Sequence, residues 1–586
     1  MMKKLSMKTI LNIIIEKKTT LFYGQIIAII ATLISVPIPL MLPVMVDEVL
    51  LNKPGIFVLS INSILGSSSA FIYILIVTFS VVFLRFTYYF LTVISTKFFI
   101  KISKHVTFII RKNLIEHLRY VSMDEYETLG RGVITANLIT DVNTLETFII
   151  TAVSKLFSSV LTIFAVGIVM INIEPILGFF ILLIQPIIMI LSKKMSKIVG
   201  IFKAEENAAI STFQENIGEI LELFGQIKAS NKEDYFFSNA TNLAKNIQKA
   251  SNNHSFKNVA YEKFSYTIFL VMFELIRASG LLLVAYSDLS IGMMFALFGY
   301  IWFIMTPVKD ILSFQYSYSS AKAAIERLNN ILTLKIEESG KELLSERNID
   351  ILVKNVNFSY KNGKNILKNI NLNIRSGSKI AIIGASGSGK TTLAQVIAGF
   401  YKKDNGSIYF NNKEIQKLNK ISLRKKIFLV LQMPILFNST LRFNITMGNK
   451  NISDEKIYKA LKIAQLEEML VEMNDGLETV VGHHGIRLSG GQRQRLSIVR
   501  MIIAEPNIVI FDESTSALDV HTESILQSEL QHILKDKTVI TISHRLSTVK
   551  SADIIYVLED GKIVQNGSHK DLENEDGHYR EFIKQH

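Results

Sequence analysis

Long apolar runs separated by basic segments make up the first half of the chain. A helix that crosses the hydrocarbon core of a bilayer needs about 20 mostly apolar residues, and six runs are long enough. They cover residues 20–46, 69–95, 150–172, 175–194, 264–286 and 290–310. Six such runs in succession predict an all-α membrane domain. From about residue 345 onward the pattern becomes that of an ordinary soluble domain.

Basic residues indicate how these spans are oriented, because the cytoplasmic loops of membrane proteins carry an excess of lysine and arginine. Residues 193–263 contain ten lysines. A second basic segment, residues 97–147, contains Lys97, Lys101, Lys104, Arg111, Lys112, Arg119 and Arg131. The other connections, at 51–68, 173–174 and 287–291, contribute only Lys53. We therefore predict a protein of the cytoplasmic membrane with both termini inside.

The two basic segments are long and have a helical pattern. Helices of about 50 residues extend well beyond a bilayer at a rise of 1.5 Å per residue. We expect their turning points, near Met123–Arg131 and Leu221–Ser230, to contact a cytosolic domain. The alternative is that they are solvated helical hairpins. Residues 1–18, basic and amphipathic, form either an elbow helix on the inner membrane surface or the cytosolic flank of the first span.

Ionisable residues interrupt two of the predicted spans. Arg85 lies in the second, and Glu274 and Arg277 lie in the fifth. Charges at membrane depth are costly and usually face a cavity or a partner. Because Glu274 and Arg277 are three residues apart on a helix, they either pair with each other or contact a substrate. These three residues are the candidates for a substrate cavity.

Composition supports a membrane protein and excludes several other classes. The chain is 49% hydrophobic and only 20% charged, whereas soluble enzymes usually carry more charge. The net charge is +13, but many of the lysine and arginine residues lie between the apolar runs, so we do not expect nucleic-acid binding. There are no cysteines, which excludes disulfides, thiolate metal sites and thiol catalysis.

The clearest chemical motif follows the apolar segment Lys379-Ile-Ala-Ile-Ile383. Gly384-Ala-Ser-Gly-Ser-Gly-Lys-Thr391 matches the phosphate-binding loop pattern in its strand–loop–helix context. Such a loop turns its backbone N–H groups toward phosphate oxygens, and the helix that follows directs its positive end at the anion. The residues predicted to contact ATP here are Gly384, Ala385, Ser386, Gly387, Ser388, Gly389, Lys390, Thr391 and Thr392. We expect Lys390 to meet the β- and γ-phosphates.

A second motif supplies a metal ligand and a base. Ile508-Val-Ile-Phe-Asp512 is an apolar strand that ends in a carboxylate, which suits Mg²⁺ binding together with the Thr391 hydroxyl. Glu513 follows and is the candidate to deprotonate the attacking water. The alternative, a solvated strand end, is weaker beside a phosphate-binding loop.

Between these motifs lies Leu488-Ser-Gly-Gly-Gln492, and with it the chain resembles the ATP-binding cassette transporters, in the half-transporter form of the exporters. The resemblance implies a fold class: a six-helix transmembrane domain with long intracellular helices, followed by an α/β nucleotide-binding domain. It also implies that Ser489, Gly490, Gly491 and Gln492 contact ATP held by a second subunit. The expected boundaries are 1–18 for the elbow, 19–330 for the membrane domain and 331–348 for a linker. We expect residues 349–586 to form the nucleotide-binding domain, which we call the motor.

Further positions match the family pattern. The resemblance implies that Tyr360 stacks on adenine, with Phe358 as the local competitor. It implies that Gln432 senses Mg²⁺ and that His544 contacts the γ-phosphate, so both join Glu513 in the hydrolysis step. Ser516 and Asp519 match a loop that crosses between the two sites.

The segment Thr479-Val-Val-Gly-His-His-Gly485 departs from the family pattern. Val480 and His483 stand where exporters often have acidic residues, which puts the detail of coupling in doubt. His483 and His484 are interpreted as surface loop residues rather than a metal pair.

No catalytic position of the motor is degenerate, so a homodimer suffices, and a heterodimer with another half-transporter remains open. We expect ATP-driven export of a drug, peptide or lipid. The alternatives are a flippase for lipids or lipid-linked oligosaccharides, an importer and an ATP-gated channel. The sequence does not identify the substrate.

Overall fold

The computed structural model describes residues 4–66, 69–361, 363–432, 434–482, 488–513, 519–543 and 545–585. The chain divides into two compact units. The first contains Met1–Leu118 and Gly132–Thr333, and the second contains Arg119–Arg131 and Leu334–His586. The short segment Arg119–Arg131, which the sequence pattern placed within the membrane domain, thus groups with the second unit.

The described residues up to 333 are mostly helical. In chain order they are α1 (Met7–Glu16), α2 (Lys18–Ser35), α3 (Met41–Pro43), α4 (Ile56–Leu65), α5 (Ala70–Leu118), α6 (Met123–Leu129), α7 (Arg131–Ala136), α8 (Val142–Ile150), α9 (Phe157–Ile173), α10 (Pro175–Glu222), α11 (Phe224–Ala229), α12 (Glu233–Tyr286) and α13 (Ile291–Leu332). A 3₁₀ turn (Ile38–Leu40) and π-helical turns (Val44–Leu50, Asn137–Asp141, Thr151–Leu156) join some of them.

Five helical segments among the described residues are long and apolar enough to cross a membrane. They are Lys18–Leu50, Ala70–Leu118, Gly132–Ile173, Glu233–Tyr286 and Ile291–Leu332. The remaining predicted span, 175–194, lies in α10, where several side chains fall outside the described set. Large apolar side chains such as Phe79, Phe83 and Phe86 are exposed along one side of α5, as expected of a helix that faces lipid or a partner.

Prolines change the helical path between α2 and α3. The Leu40 amide donates to the Pro37 carbonyl, in a tight turn, rather than to Val36. Proline has no amide hydrogen, so Pro39 cannot serve the Val36 carbonyl either. The Tyr300 hydroxyl on α13 donates to that carbonyl at 2.7 Å, and the tyrosine is fully buried. This hydrogen bond satisfies a backbone acceptor that the turn leaves exposed to the apolar core.

The second unit contains two main sheets. Its strands are β1 (Ile351–Ser359), β2 (Asn365–Ile374), β3 (Lys379–Ile383), β4 (Asn405–Phe410), β5 (Lys413–Glu414), β6 (Ile427–Val430), β7 (Ser439–Thr440), β8 (Val480–Val481), β9 (Ile508–Asp512), β10 (Thr538–Ile542), β11 (Ile554–Glu559) and β12 (Lys562–Gly567). One sheet has the antiparallel order β2-β1-β4-β5. The other has the order β12-β11-β3-β10-β9-β6, in which only the edge strand β12 runs antiparallel to its neighbour.

Helices cover these sheets and form a separate cluster. They are α14 (Lys390–Ile397), α15 (Lys420–Lys426), α16 (Leu441–Thr446), α17 (Asp454–Ile463), α18 (Glu467–Val471), α19 (Gly490–Ala504), α20 (Val520–Leu534), α21 (Leu546–Lys550), α22 (His569–Glu573) and α23 (His578–Gln585). The strands β3, β9 and β10 are almost continuously buried and apolar, as parallel strands with both faces covered must be. Helices α16 to α19 have an apolar core of their own.

We predict that Tyr300→Phe destabilises the membrane unit. The change removes only a hydroxyl and leaves the buried Val36 carbonyl without its donor, which costs about 1–3 kcal/mol. The measurement is the apparent melting temperature of the full chain in lipid nanodiscs. Tyr286→Phe is the control, because Tyr286 is 87% exposed and its hydroxyl reaches solvent or headgroups. Equal melting temperatures for both variants would contradict the role given to Tyr300.

Candidate nucleotide-binding site

The loop between β3 and α14 has a backbone path that few residues other than glycine allow. Gly384 has a φ of +150°, and a Cβ there would lie 2.0 Å from the Leu558 carbonyl oxygen. Gly389 has a φ of +104° and caps the N-terminus of α14. The glycines therefore let the loop pass close to β11 and then turn into the helix, with the helix N-terminus directed at the loop.

Lys390 and Ser388 line the inside of this loop. Lys390 is only 6% exposed, and its Nζ donates to the carbonyl oxygens of Gly384 at 2.9 Å and Ala385 at 3.0 Å. Burial lowers the pKa of Lys390, and the nearby Glu513 and Asp512 oppose this. The Ser388 hydroxyl is buried and has no hydrogen-bond partner within the part of the chain that the structure describes. A buried cation beside an unsatisfied polar atom fits an anionic ligand such as a phosphate group.

Asp512 ends β9 beside the start of α14. Its Oδ1 accepts a hydrogen bond from the Thr391 hydroxyl at 3.1 Å, and the side chain is only 3% exposed. Burial raises the pKa of Asp512, although the Thr391 hydrogen bond works in the opposite direction. A carboxylate and a hydroxyl at this distance are the oxygen ligands that Mg²⁺ prefers. The pair therefore fits a divalent cation, which would stabilise the charged form of a carboxylate that burial disfavours.

Glu513 is held in a strained backbone conformation next to this pair. Its φ is +46°, in the left-handed region that is uncommon for side chains other than glycine and asparagine. The Glu513 amide donates to the Ile542 carbonyl at 3.1 Å, which ties it to β10. The Gln432 side-chain amide donates to Glu513 Oε2 at 2.7 Å, and Gln494 donates to the Gln432 carbonyl at 3.1 Å. The two predicted hydrolysis residues Gln432 and Glu513 are thus in direct contact.

Tyr360 follows β1 and lies near α14. Its hydroxyl is within hydrogen-bond distance of the Thr392 hydroxyl, at 3.1 Å, and of Gln395 Oε1, at 3.5 Å. Phe358, the alternative candidate for stacking on adenine, belongs to the apolar core and is only 4% exposed. Tyr360 is half-buried, so it is the more accessible of the two rings.

The segment Leu488-Ser-Gly-Gly-Gln492 forms the N-terminus of α19. The Ser489 hydroxyl accepts a hydrogen bond from the backbone amide of Gln492 at 3.1 Å. In return, the side-chain oxygen Oε1 of Gln492 accepts one from the backbone amide of Ser489 at 2.8 Å. This reciprocal arrangement is a capping box, whose pattern of serine followed three residues later by glutamine is visible in the sequence. This structural role of Gln492 was not predicted. Ser489 and Gly490 are exposed at the positive end of the helix.

The remaining predicted motor residues are only partly described. Asp519 caps α20 by accepting from the Thr522 amide at 2.8 Å, and this hydrogen bond lowers its pKa. Val480, in β8, is half exposed and pairs with β7. The predicted site residues Ser516 and His544, and the histidines His483 and His484, lie outside the described residues.

In the membrane unit, Glu274 and Arg277 contact each other. The distance between Oε2 and Nη2 is 2.5 Å, which matches the pairing interpretation, and both side chains are more than half exposed. Arg85 is exposed on α5.

A further charged pair was missed. Lys155 Nζ lies 3.6 Å from Asp310 Oδ1, and the Ser159 hydroxyl lies 3.4 Å from Asp310 Oδ2. Both charges fall inside predicted spans, which is the signal that could have identified them.

Two family models match the chain. One is described as "ABC transporter transmembrane region" and matches residues 21–308, and the other is described as "ABC transporter" and matches residues 367–516. Together they confirm the predicted order, a membrane domain followed by a nucleotide-binding domain.

Relatives and solved structures agree with this assignment. An "ATP-dependent lipid A-core flippase" of Legionella pneumophila (strain Paris) is 31% identical over 488 residues, which is 82% of each chain. The "Alpha-hemolysin translocation ATP-binding protein HlyB" of Escherichia coli is 41% identical over 295 residues, 50% of this chain and 42% of the relative. A bacterial Atm1-family ABC exporter with ATP bound superposes with a TM-score of 0.81 at 22% identity, covering 96% of this chain and 98% of that chain. The last similarity confirms the predicted fold class.

We predict that Gly384→Ala and Gly387→Ala differ strongly in stability. Both residues have positive φ, but a Cβ at Gly387 has nothing within 4 Å, whereas one at Gly384 collides with a backbone carbonyl. Gly387→Ala should cost about 1–2 kcal/mol of backbone strain, and Gly384→Ala about 3 kcal/mol or more, because overpacking adds to strain. Thermal unfolding of the two full-length variants measures the difference. Equal stability would show that the loop does not follow this path.

Proposed function

Because the chain belongs to the ATP-binding cassette transporters, in the exporter-type half-transporter arrangement, we propose that two copies clasp ATP between them and export a hydrophobic or amphipathic substrate. The chain is a multi-pass membrane protein whose nucleotide-binding domain couples ATP hydrolysis to transport. The assignment of the site rests on one observation. Five polar or charged side chains meet where parallel strands end, and they are Lys390, Thr391, Asp512, Glu513 and Gln432. In open α/β sheets, ligands bind at the carboxyl ends of the strands.

In this proposal the phosphate-binding loop holds the ATP phosphates. Lys390 exchanges its two loop carbonyl partners for phosphate oxygens, and the unsatisfied Ser388 hydroxyl gains a partner. Both changes compensate groups that burial has removed from water, so they favour the bound state. Tyr360 provides the surface on which adenine stacks.

Thr391, Asp512 and Gln432 are the residues that hold Mg²⁺. When bound, Mg²⁺ neutralises charge that develops on the phosphate oxygens during transfer. Glu513 takes the proton of the attacking water, and the Gln432 hydrogen bond orients its carboxylate. His544 contacts the γ-phosphate in the same scheme.

The second half of each site comes from the partner copy. The Ser489 hydroxyl accepts a hydrogen bond within its own helix, and its hydrogen is still available to donate to a phosphate oxygen. Gly490 and Gly491 present backbone N–H groups at the positive end of α19, whose dipole favours an anion. The Gln492 side-chain oxygen is engaged in the capping box and supports this geometry, and its side-chain NH₂ can still donate to ATP. Ser516 and Asp519 belong to the loop that crosses between the two sites.

The chain contains both halves of a complete site, so a homodimer accounts for two competent sites. A heterodimer with another half-transporter is the alternative. We place the dimer in the cytoplasmic membrane with both termini in the cytoplasm, as the distribution of basic loops indicates.

A lipid flippase is the second candidate function. The lipid A-core flippase of Legionella is similar to this chain over 82% of both lengths, whereas the hemolysin translocator matches half of this chain. In either case the candidates to line a substrate cavity are the charged residues of the spans, since charges at membrane depth avoid lipid. These residues are Arg85, Glu274, Arg277, Lys155 and Asp310. Reconstitution in proteoliposomes separates the functions: an exporter accumulates its substrate, a flippase moves labelled lipid between leaflets, and a channel conducts downhill.

We predict that Glu513→Gln abolishes ATP turnover and leaves ATP binding intact. The amide keeps the hydrogen-bonded shape but cannot accept the water proton, so turnover falls by about 10²–10⁴-fold. Phosphate release and binding of a fluorescent ATP analogue are measured on the same protein in lipid. Glu529→Gln, on the exposed side of α20, serves as the control and keeps full turnover. Full turnover in Glu513→Gln would refute the assignment of the base.

We predict that two inactive variants restore each other when mixed before dimer assembly. Lys390→Ala removes the phosphate-binding lysine and Ser489→Arg blocks the signature helix, so each homodimer has two defective sites. If sites form across the interface, a mixed dimer places both defects in one site and leaves the other intact. Random pairing then restores about a quarter of the sites, because half of the dimers are mixed. The amount of vanadate-trapped nucleotide measures the number of intact sites. Trapping that stays at zero would place each site within one copy.

A further inference from the structure

Tyr401 joins helix α6 to the motor. Its hydroxyl donates to both carboxylate oxygens of Glu127, at 2.8 Å and 2.9 Å, and Glu127 lies on α6. Tyr401 is only 7% exposed. Burial, followed by the Glu127 carboxylate, raises the pKa of Tyr401 well above its ordinary value, so the phenol stays protonated as the donor. A hydrogen bond from a neutral hydroxyl to a carboxylate in a partly buried site is among the stronger hydrogen bonds of a protein.

The ring of Tyr401 contacts the ring that we assign to adenine stacking. Tyr401 and Tyr360 meet edge to face, with centroids 5.4 Å apart and an interplanar angle of 85°. Phe358 completes a three-ring cluster, 5.5 Å from Tyr401 and 5.0 Å from Tyr360. Edge-to-face contacts fix the relative angle of the rings, because the positive edge of one ring meets the negative face of the other. A rotation of Tyr401 therefore changes the angle of Tyr360.

Two further contacts attach α6 to the same region. Glu125, buried at 8% exposure, lies 2.7 Å from Lys361 Nζ, and Lys361 directly follows Tyr360 in the chain. Val121 pairs with Ile336 in an antiparallel bridge just before α6 begins. Helix α6 therefore contacts the side chain of the residue that follows Tyr360 as well as the ring that packs against Tyr360.

We propose that Glu127, Tyr401 and Tyr360 form a relay in which α6 sets the orientation of the adenine-stacking ring and adenine occupancy, in turn, orders α6. Tyr401 is a positioning residue: it acts on the nucleotide through Tyr360. This relay rests on the proposed function, since it requires that Tyr360 stacks on adenine.

The position of α6 in the chain gives the relay a consequence for transport. Helix α6 lies between α5 and α7, which belong to the membrane unit, so an ordering of α6 acts covalently on both. Thermodynamic coupling between two sites is reciprocal, so an α6 held by the membrane helices also changes the affinity for adenine. The relay responds to the base of the nucleotide, whereas the phosphate-binding loop responds to its phosphates.

Enzyme kinetics test the relay in the full-length protein in lipid. Tyr401→Phe removes only the hydroxyl that Glu127 holds, and we expect it to raise KM for ATP about threefold with kcat unchanged. Inorganic tripolyphosphate, which has phosphates but no base, should inhibit the variant and the wild type with the same inhibition constant. Glu127→Ala should raise KM similarly, and the double variant no further than either single one. Tyr458→Phe, which removes an exposed tyrosine hydroxyl on α17, is the matched control and should leave KM unchanged.

Two results would overturn the relay. One is an unchanged KM for ATP in Tyr401→Phe, and the other is a parallel rise in the tripolyphosphate inhibition constant, which indicates a merely structural role. Tyr360→Ala tests separately whether Tyr360 stacks on adenine. This change should raise KM for ATP about tenfold, because base stacking is lost. An unchanged KM there overturns both the assignment of Tyr360 and the relay.

A second measurement needs no variant. Amide hydrogen exchange across Met123–Leu129 should slow when ATP binds to the wild-type protein and should stay unchanged with tripolyphosphate. Slowing by both ligands alike would contradict the relay, because it would show that phosphates alone order α6.

Discussion

Burial of charge at one edge of a parallel sheet is the constraint on which the motor depends. Lys390 and Asp512 are almost fully buried, and burial shifts their pKa values in opposite directions, each toward the neutral form. Desolvated charges are costly unless they are paired and hydrogen-bonded. Loop carbonyls and the Thr391 hydroxyl compensate them in part. Mg²⁺ with ATP, which the proposed function assigns to this site, carries both a cation and an anion and would compensate these charges more fully.

The proposed dimer gives the signature helix its role. In each motor, the capped N-terminus of α19 exposes Ser489 and Gly490 at the positive end of the helix, which favours an anion. A helix terminus that is fixed by its own capping box is well ordered for binding a phosphate held elsewhere. In the proposed dimer, two copies related by a two-fold axis supply each other with this half of the site.

Much of the architecture could be predicted because its signals are local in sequence. The spans follow from runs of apolar residues, and the phosphate-binding loop follows from glycines at fixed spacing after a strand. The capping role of Gln492 has an equally local pattern but was not predicted, and its contact with ATP stays a prediction. Ser516 and His544 remain predictions, since they lie outside the described residues.

Other features depend on contacts between residues distant in sequence, and the sequence does not show which residues pair. Lys155 and Asp310 are 155 positions apart in sequence and meet only when α13 packs beside the π-helical turn at Thr151–Leu156. Tyr401 and Glu127 are 274 positions apart. Pro37 and Pro39 interrupt the helical hydrogen bonds after α2, but only the fold reveals that Tyr300 satisfies the Val36 carbonyl.

If nucleotide draws two motors of the same chain together, the distance between the two copies changes when ATP binds. The chain contains no cysteine, so Lys459→Cys on the exposed face of α17 gives one spin label in each copy. Pulsed electron paramagnetic resonance in lipid nanodiscs then measures the label-to-label distance with and without a non-hydrolysable ATP analogue and Mg²⁺. We expect one distance distribution, which shifts to shorter distances and becomes narrower with nucleotide. A distribution that nucleotide leaves unchanged, or the absence of any intermolecular distance, would contradict it.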